Sequence, residues 1–282
     1  MKVLINIIKI IIIAILTICI LFLGIRNIFS STILDQSYIT SKLEETNLYH
    51  ETYELVKSNF ENYIYQSGLD EIVLEDICTE EKVKNDLNTI LSNIYQGTDV
   101  KIDTTEIADN LNKNIDELDI KTSSNAKAID QFVQHICDEY TDTILHTKYE
   151  TSINEMYSKA VDLLEKINKI VLIVALVSAI LLIILNIKNI SKLIQNLGTA
   201  LLASSVFVLV AHNIVTTKVY VEGIKVFNDA FSNTLVTILK DVLQKIQSFG
   251  IVTLVIAIVL IIIYAIIAFC KAPKAKHIAE EE

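Results

Sequence analysis

The chain reads as an all-α membrane protein: four transmembrane helices, a helical extracytoplasmic domain between the first and second, and a short amphipathic helix between the third and fourth. Three observations predict this. Residues 3–25, 167–187, 197–215 and 251–269 form four runs of about 19 to 23 residues, mostly Ile, Leu, Val, Ala and Phe. A helix rising about 1.5 Å per residue needs about 20 such residues to cross a hydrocarbon core of about 30 Å. Acid is concentrated in one gap: residues 26–168 hold 28 Asp and Glu against 12 Lys and Arg, a balance of −16 in a chain whose net charge is −10. Finally, the 282 residues include six glycines and one proline, with no turn-rich clusters and no alternating strand pattern, which leaves helix as the consistent reading.

Residues 1–25 are expected to be an uncleaved signal anchor. The run is longer than the apolar core of about 7 to 15 residues found in signal peptides, and no small-residue cleavage pattern surrounds Gly24-Ile25-Arg26-Asn27. Bulky Ile18 before Cys19 argues against a lipid-attachment box. Orientation follows from cationic residues in short segments, which stay on the cytoplasmic side. Lys188 and Lys192 occupy the linker 188–196, and Lys271, Lys274 and Lys276 the tail 270–282. Lys2 and Lys9 agree, Lys9 by snorkelling to the headgroups, and Arg26 is the one dissenting charge. The expected location is the plasma membrane, with both termini cytoplasmic and both larger loops outside.

Residues 26–166 form the expected extracytoplasmic domain, long enough to bury a core of its own. Leu48, Thr52, Leu55, Val56, Phe60, Tyr63 and Ile64 recur at three- and four-residue spacing and predict a helix ending at Gly68. Val83, Leu87, Ile90, Leu91 and Ile94 predict a second, from Thr79 to Gly97. Asp103 and Glu106 suggest a capping box for a third, carried by Ile107, Leu111, Ile115 and Leu118, after a short extended stretch over Val100-Lys101-Ile102. A fourth begins near Ser124 with Ile129, Phe132, Val133, Ile136 and Tyr140 inward, and is expected to continue through Ile153, Tyr157, Val161 and Leu164 into the second span.

The membrane part continues with spans at 167–187 and 197–215. Residues 216–250 then place Val221, Ile224, Phe227, Phe231, Leu235, Ile238, Leu239, Val242 and Ile246 on one side. This predicts an amphipathic helix whose apolar face packs on the outer domain or the span ends, the rival being an interfacial helix in the headgroups. The fourth span follows at 251–269. Glycines 24, 68, 97, 198 and 250 all fall at ends of apolar or periodic segments, as helix-stopping residues do.

Candidate sites are few. His135, Glu139, Asp142 and His146 lie at i, i+4, i+7 and i+11 on one helix face, offering imidazoles and carboxylates to a divalent transition metal. The same residues suit a solvated face opposite Phe132 and Ile136. Cys78 and Cys137 are the two cysteines of the outer segment. A disulfide between them would close a loop of about 60 residues worth ~4 kcal/mol, and each also suits a small buried position. Asp99, Asp103, Glu106 and Asp109 lack the central Gly and terminal Glu of a calcium loop. Nine of eleven tyrosines lie in 26–168, and Tyr49, Tyr53 and Tyr63 suit either a recognition surface or half-buried helix positions. Within the spans only His212, Asn213 and Tyr264 stand out, little for a carrier or pump. No catalytic residue, cofactor or enzymatic activity is expected.

The Ile-, Asn- and Lys-rich wording of Thr89-Ile90-Leu91-Ser92-Asn93-Ile94-Tyr95 and Leu111-Asn112-Lys113-Asn114-Ile115 resembles multi-pass membrane proteins of low-GC Gram-positive bacteria, in style over most of the chain. The resemblance implies a single plasma membrane and a domain facing the cell wall. The acidic outer segment disfavours nucleic acid and anionic lipid surfaces. The expected partners are the lipid bilayer and a protein partner or second copy. The expected role is a non-enzymatic scaffold or accessory subunit, or alternatively a ligand sensor relaying through the spans to a partner subunit.

Overall fold

A computed structural model describes residues 2–99, 101–145, 150–226 and 228–271, with backbone only at residues 2, 66, 150–156 and 271. Helices α1 (Lys2–Ser30), α2 (Gln36–Glu45), α3 (Leu48–Ser67), α4 (Glu80–Gln96), α5 (Thr105–Glu117), α6 (Ala126–Leu145), α7 (Glu150–Asn186), α8 (Ile190–Lys218) and α9 (Asp229–Lys271) follow in order, with 3-10 turns at Glu71–Leu74 and Val221–Gly223. No strand forms among the described residues, only an isolated bridge between Val226 and Asn228. The all-helical class is therefore as the sequence predicts. Val3–Ser30, Tyr157–Asn186, Ile190–Lys218 and Asp229–Cys270 are each long and apolar enough to cross a membrane, the mark of a multi-pass membrane protein.

The chain divides into two compact units. An apolar unit comprises α1, α8 and the parts of α7 and α9 from Leu164 and Lys240 onward, and a polar unit comprises α2 to α6 with the first turns of α7 and α9.

The polar unit is built as periodicity and capping dictate. Thr79 opens α4 by accepting from the Lys82 N–H, and the left-handed Gly68 and Gly97 close α3 and α4. Side chains from α3 (Val56, Phe60, Ile64), α5 (Ile107, Leu111, Ile115) and α6 (Phe132, Ile136, Tyr140) meet in one core. Phe231 from α9 packs on that core, and the Thr234 and Thr46 hydroxyls lie 2.7 Å apart. Thr104 holds the N-cap position of α5 without a side-chain cap hydrogen bond, and it is Asp103, one residue earlier, that accepts from the Thr105 N–H. The continuity expected between the fourth outer helix and the second span crosses residues 146–149, outside the described residues, as do Val100 of the expected extended stretch and Phe227.

In the apolar unit α1 packs along α8. The Thr17 hydroxyl lies 3.3 Å from the Ala200 carbonyl, and Ile12, Leu16, Leu182 and Ala200 are buried together. Lys9 does not simply snorkel: its ammonium donates to the Asn186 side-chain oxygen at 2.7 Å, and that Asn turns its amide to the Leu182 carbonyl. Gly24 and Gly250 stop no helix. A Cβ on Gly24 would meet the Phe249 ring, and one on Gly250 would meet Leu209 and Val208, so both permit close approach inside helices. The amphipathic segment also differs from expectation. Residues 221–223 form a 3-10 turn, the helix starts only at Asp229, and it runs on unbroken to Lys271. With Gly250 accommodated by packing, no residue between Asp229 and the fourth apolar run interrupts the period.

Candidate functional site

A concave surface lined by both charged and apolar side chains lies where α3 meets the turn that follows it. Residues 53, 56, 57, 60 and 61 recur at three- and four-residue spacing, so Tyr53, Val56, Lys57, Phe60 and Glu61 share one face of α3. Gly68 then reverses the chain through its left-handed conformation (φ 73°). Asp70 caps the one-turn 3-10 helix by accepting from the Ile72 N–H at 3.1 Å. Val73 and Ile77 plunge into the core at 0% and 2% exposure and pin the returning segment at both ends. Between them Asp76 takes φ 54°, a left-handed conformation that aspartate tolerates better than most side chains. Helix α5 holds the turn in place: the Asn114 amide donates to the carbonyls of Val73 (3.0 Å) and Glu75 (2.7 Å).

A cavity of about 280 Å³ lies between the α3 face and this turn. Val56, Phe60, Leu74 and Ile77 supply its apolar lining, with Glu61, Glu71, Glu75 and Asp76 against the single Lys57 among its charged groups. On the other side of the turn, a second depression of about 260 Å³ is lined by Ile72, Glu75, Asp76, Lys113, Asn114, Glu117 and Leu118. Glu75 and Asp76 belong to both. Ile72 and Leu118 are large apolar side chains left 49% and 40% exposed. Cys78 also lines the first cavity, but burial pushes its thiol up to about 12, so it stays protonated and is a poor nucleophile.

Beside this surface sits a charged group drawn into the interior. Lys82 reaches the Asp86 carboxylate at 2.7 Å and the Asp103 carbonyl at 2.8 Å, with side chains only 12% and 14% exposed for Lys82 and Asp86. Tyr140, fully buried, donates its hydroxyl to the same Asp86 oxygen. Burial and the anionic acceptor push the tyrosine far above its ordinary range. The trio is closed on itself and ties α4 to α6 and to the approach to α5.

The residues singled out from sequence fare differently. His135 is exposed and stacks on Tyr63 with ring centroids 6.1 Å apart, Glu139 is half-buried and Asp142 exposed. Among the described residues no three His, Cys, Asp or Glu converge to hold a metal ion. His146 lies outside the described residues. Cys78 and Cys137 are free thiols in this structure. Each turns instead to a carbonyl, Cys78 to Thr79 at 3.8 Å and Cys137 to Thr104 at 3.9 Å. Of the tyrosines, Tyr53 lines the cavity, while Tyr49 donates to the Asn88 side chain at 2.7 Å. Sequence reading missed the groove. Its signal was the order Asp70-Glu71-Ile72-Val73-Leu74-Glu75-Asp76, an apolar trio bracketed by acid pairs just after a glycine.

No protein-family model, curated protein or solved structure matches the chain. The groove itself therefore carries the functional argument. Carboxylates held around an apolar floor attract cationic groups and take an apolar group out of water, which is the chemistry of recognition.

Proposed function

We propose that the chain is a non-enzymatic scaffold or accessory subunit of the cell envelope, anchored in the plasma membrane by its four apolar helices, with both termini cytoplasmic and the polar unit outside, where it binds a protein partner. The observation that carries this reading is the groove along α3. It joins an apolar floor to a carboxylate rim on a turn held by Asn114, while Lys82, Asp86 and Tyr140 are spent on internal pairing. The test is photo-crosslinking in intact membranes from an unnatural aromatic residue at Ile72, set against one at exposed Asp130. A single partner captured from Ile72 and not from Asp130 is expected. Identical neighbours from both positions would sink the reading. Orientation is tested by an impermeant maleimide on intact cells, which should label Ser124→Cys and spare Lys192→Cys.

A second reading, a sensor that relays ligand binding through its spans to a partner subunit, draws on α9. That helix starts beside the polar core at Phe231 and continues unbroken into an apolar span. Inserting two glycines after Lys240 should abolish any such relay while leaving partner binding intact. An unchanged response would remove the sensor reading.

A further inference from the structure

We propose that the two depressions flanking the turn 71–77 form one docking track for a basic polypeptide segment with an apolar anchor side chain. The inference rests on the reading that the polar unit binds a protein, and it names where and what kind.

Size and shape argue first. A cavity of about 280 Å³ falls just below the ~300 Å³ at which compact small-molecule sites begin, yet it is ample for one large side chain. The second depression, of about 260 Å³, shares Glu75 and Asp76 with the first, so the surface runs on past one anchor. An extended chain uses such a track, and a compact ligand leaves half of it empty. Exposed Ile72 and Leu118 border the continuation. These are the apolar side chains on this surface that an added chain would remove from water.

Charge argues next. Around the track stand Glu61, Glu71, Glu75, Asp76 and Glu117, opposed by Lys57 and Lys113. A second copy presented face to face would set acid against acid, because residues 26–168 carry 28 Asp and Glu against 12 Lys and Arg. An anionic membrane surface is repelled for the same reason. Lys or Arg residues flanking an aliphatic or aromatic side chain complement both features at once. The turn is also pre-ordered, since Asp70 caps it, Asn114 holds two of its carbonyls, and Val73 and Ile77 root it in the core. Little ordering is left for binding to do.

The experiment uses the full chain in nanodiscs of zwitterionic lipid and a fluorescein-labelled peptide, Lys-Lys-Leu-Phe-Lys-Lys, read by anisotropy. Saturable binding that weakens with salt is expected. The pair Glu71→Lys with Glu75→Lys should weaken it about tenfold, from two exposed charges each reversed. The control pair Glu51→Lys with Asp130→Lys, at residues that line neither depression, should leave it within about twofold. Both pairs replace exposed carboxylates, and Glu117→Lys gives a separate reversal at the far end of the track. A Lys-Lys-Ser-Ser-Lys-Lys peptide should bind at least about tenfold more weakly for want of the anchor. Equal loss from both charge pairs, no effect of Glu117→Lys, or equal affinity for the two peptides would each overturn the track. If Ile72 still crosslinks one partner in membranes while the peptide ignores Glu71, Glu75 and Glu117, the partner-binding role stands and only this assignment falls.

Discussion

The two units differ in how far they rely on small residues in their interiors and on large apolar ones at their surfaces. In the polar unit the interior is large and apolar: Ile64, Ile77, Ile107, Leu111, Ile115 and Ile136 are each 2% exposed or less. In the apolar unit the buried positions include Ser178, Ala200, Ser204, Ser205, Thr253 and Ala257, while Ile173, Leu176, Phe207 and Val255 point outward at more than half exposure. The difference follows from the solvent each unit is built for. Water expels large apolar side chains into a core, whereas lipid tails are as apolar as leucine and give no such drive, so close backbone approach through small residues holds the helices together. The same residue type is thus structural in one unit and part of the outer surface in the other.

The sharpest way to break the comparison is at the charge inside the polar unit. Asp86→Ala strips the carboxylate from Lys82 and Tyr140 and should cost about 4 kcal/mol, read by chemical denaturation in detergent. Replacing Lys82, Asp86 and Tyr140 together with Met, Leu and Phe should recover most of it, because neither a desolvated charge nor a buried hydroxyl without an acceptor then remains. A leucine deletion gives the next contrast. Leu111→Ala, at a fully buried position, should lose about 3 kcal/mol. Leu172→Ala, half-exposed on α7, should change stability in bilayers by less than about 0.5 kcal/mol. Equal losses at the two positions would mean that the outward face of α7 is covered by protein.

Enlarging a small residue should invert that order. Ala200→Leu, where α1 and α8 meet, should cost about 2 kcal/mol by overpacking, measured as a lowered midpoint for loss of helicity in mixed micelles. The smallest effect is electrostatic and confined to the polar unit. A hydrogen bond donated to the Glu80 carboxylate raises the pKa of His50. The imidazolium's contribution is thus fully present below about pH 6.5, its unfolded value, and is lost as pH rises through the higher folded value. His50→Gln should flatten the Tm difference between about pH 6 and pH 8. A variant with the parent's pH slope would show that the contact adds nothing.

Legibility tracked the range of the interactions. Helix α4 was readable to its ends because Thr79 and Gly97 act on adjacent backbone. The inward faces of α3, α5 and α6 followed from period alone. Helix α2 went unseen, since its residues Gln36-Ser37-Tyr38-Ile39-Thr40-Ser41-Lys42 carry no apolar stripe and none of them is buried. The late start of α9 at Asp229 was equally hidden, because the stripe from Val221 to Ile246 is continuous with or without a helix over its first residues. His135, Glu139 and Asp142 do share a helical face, but sharing a face brings no ligand from another element.

Four membrane-length helices and a polar helical unit were written in composition and period, because span length and amphipathic spacing are local properties of the chain. The groove was not. It exists because Asn114 of α5 reaches back to hold the carbonyls of Val73 and Glu75, which sets the acids of that turn over Val56 and Phe60 of α3. Tyr140 likewise meets Asp86 across 54 residues. Side chains that far apart in the chain become neighbours only when helices pack, so neither pairing has a local signature to read.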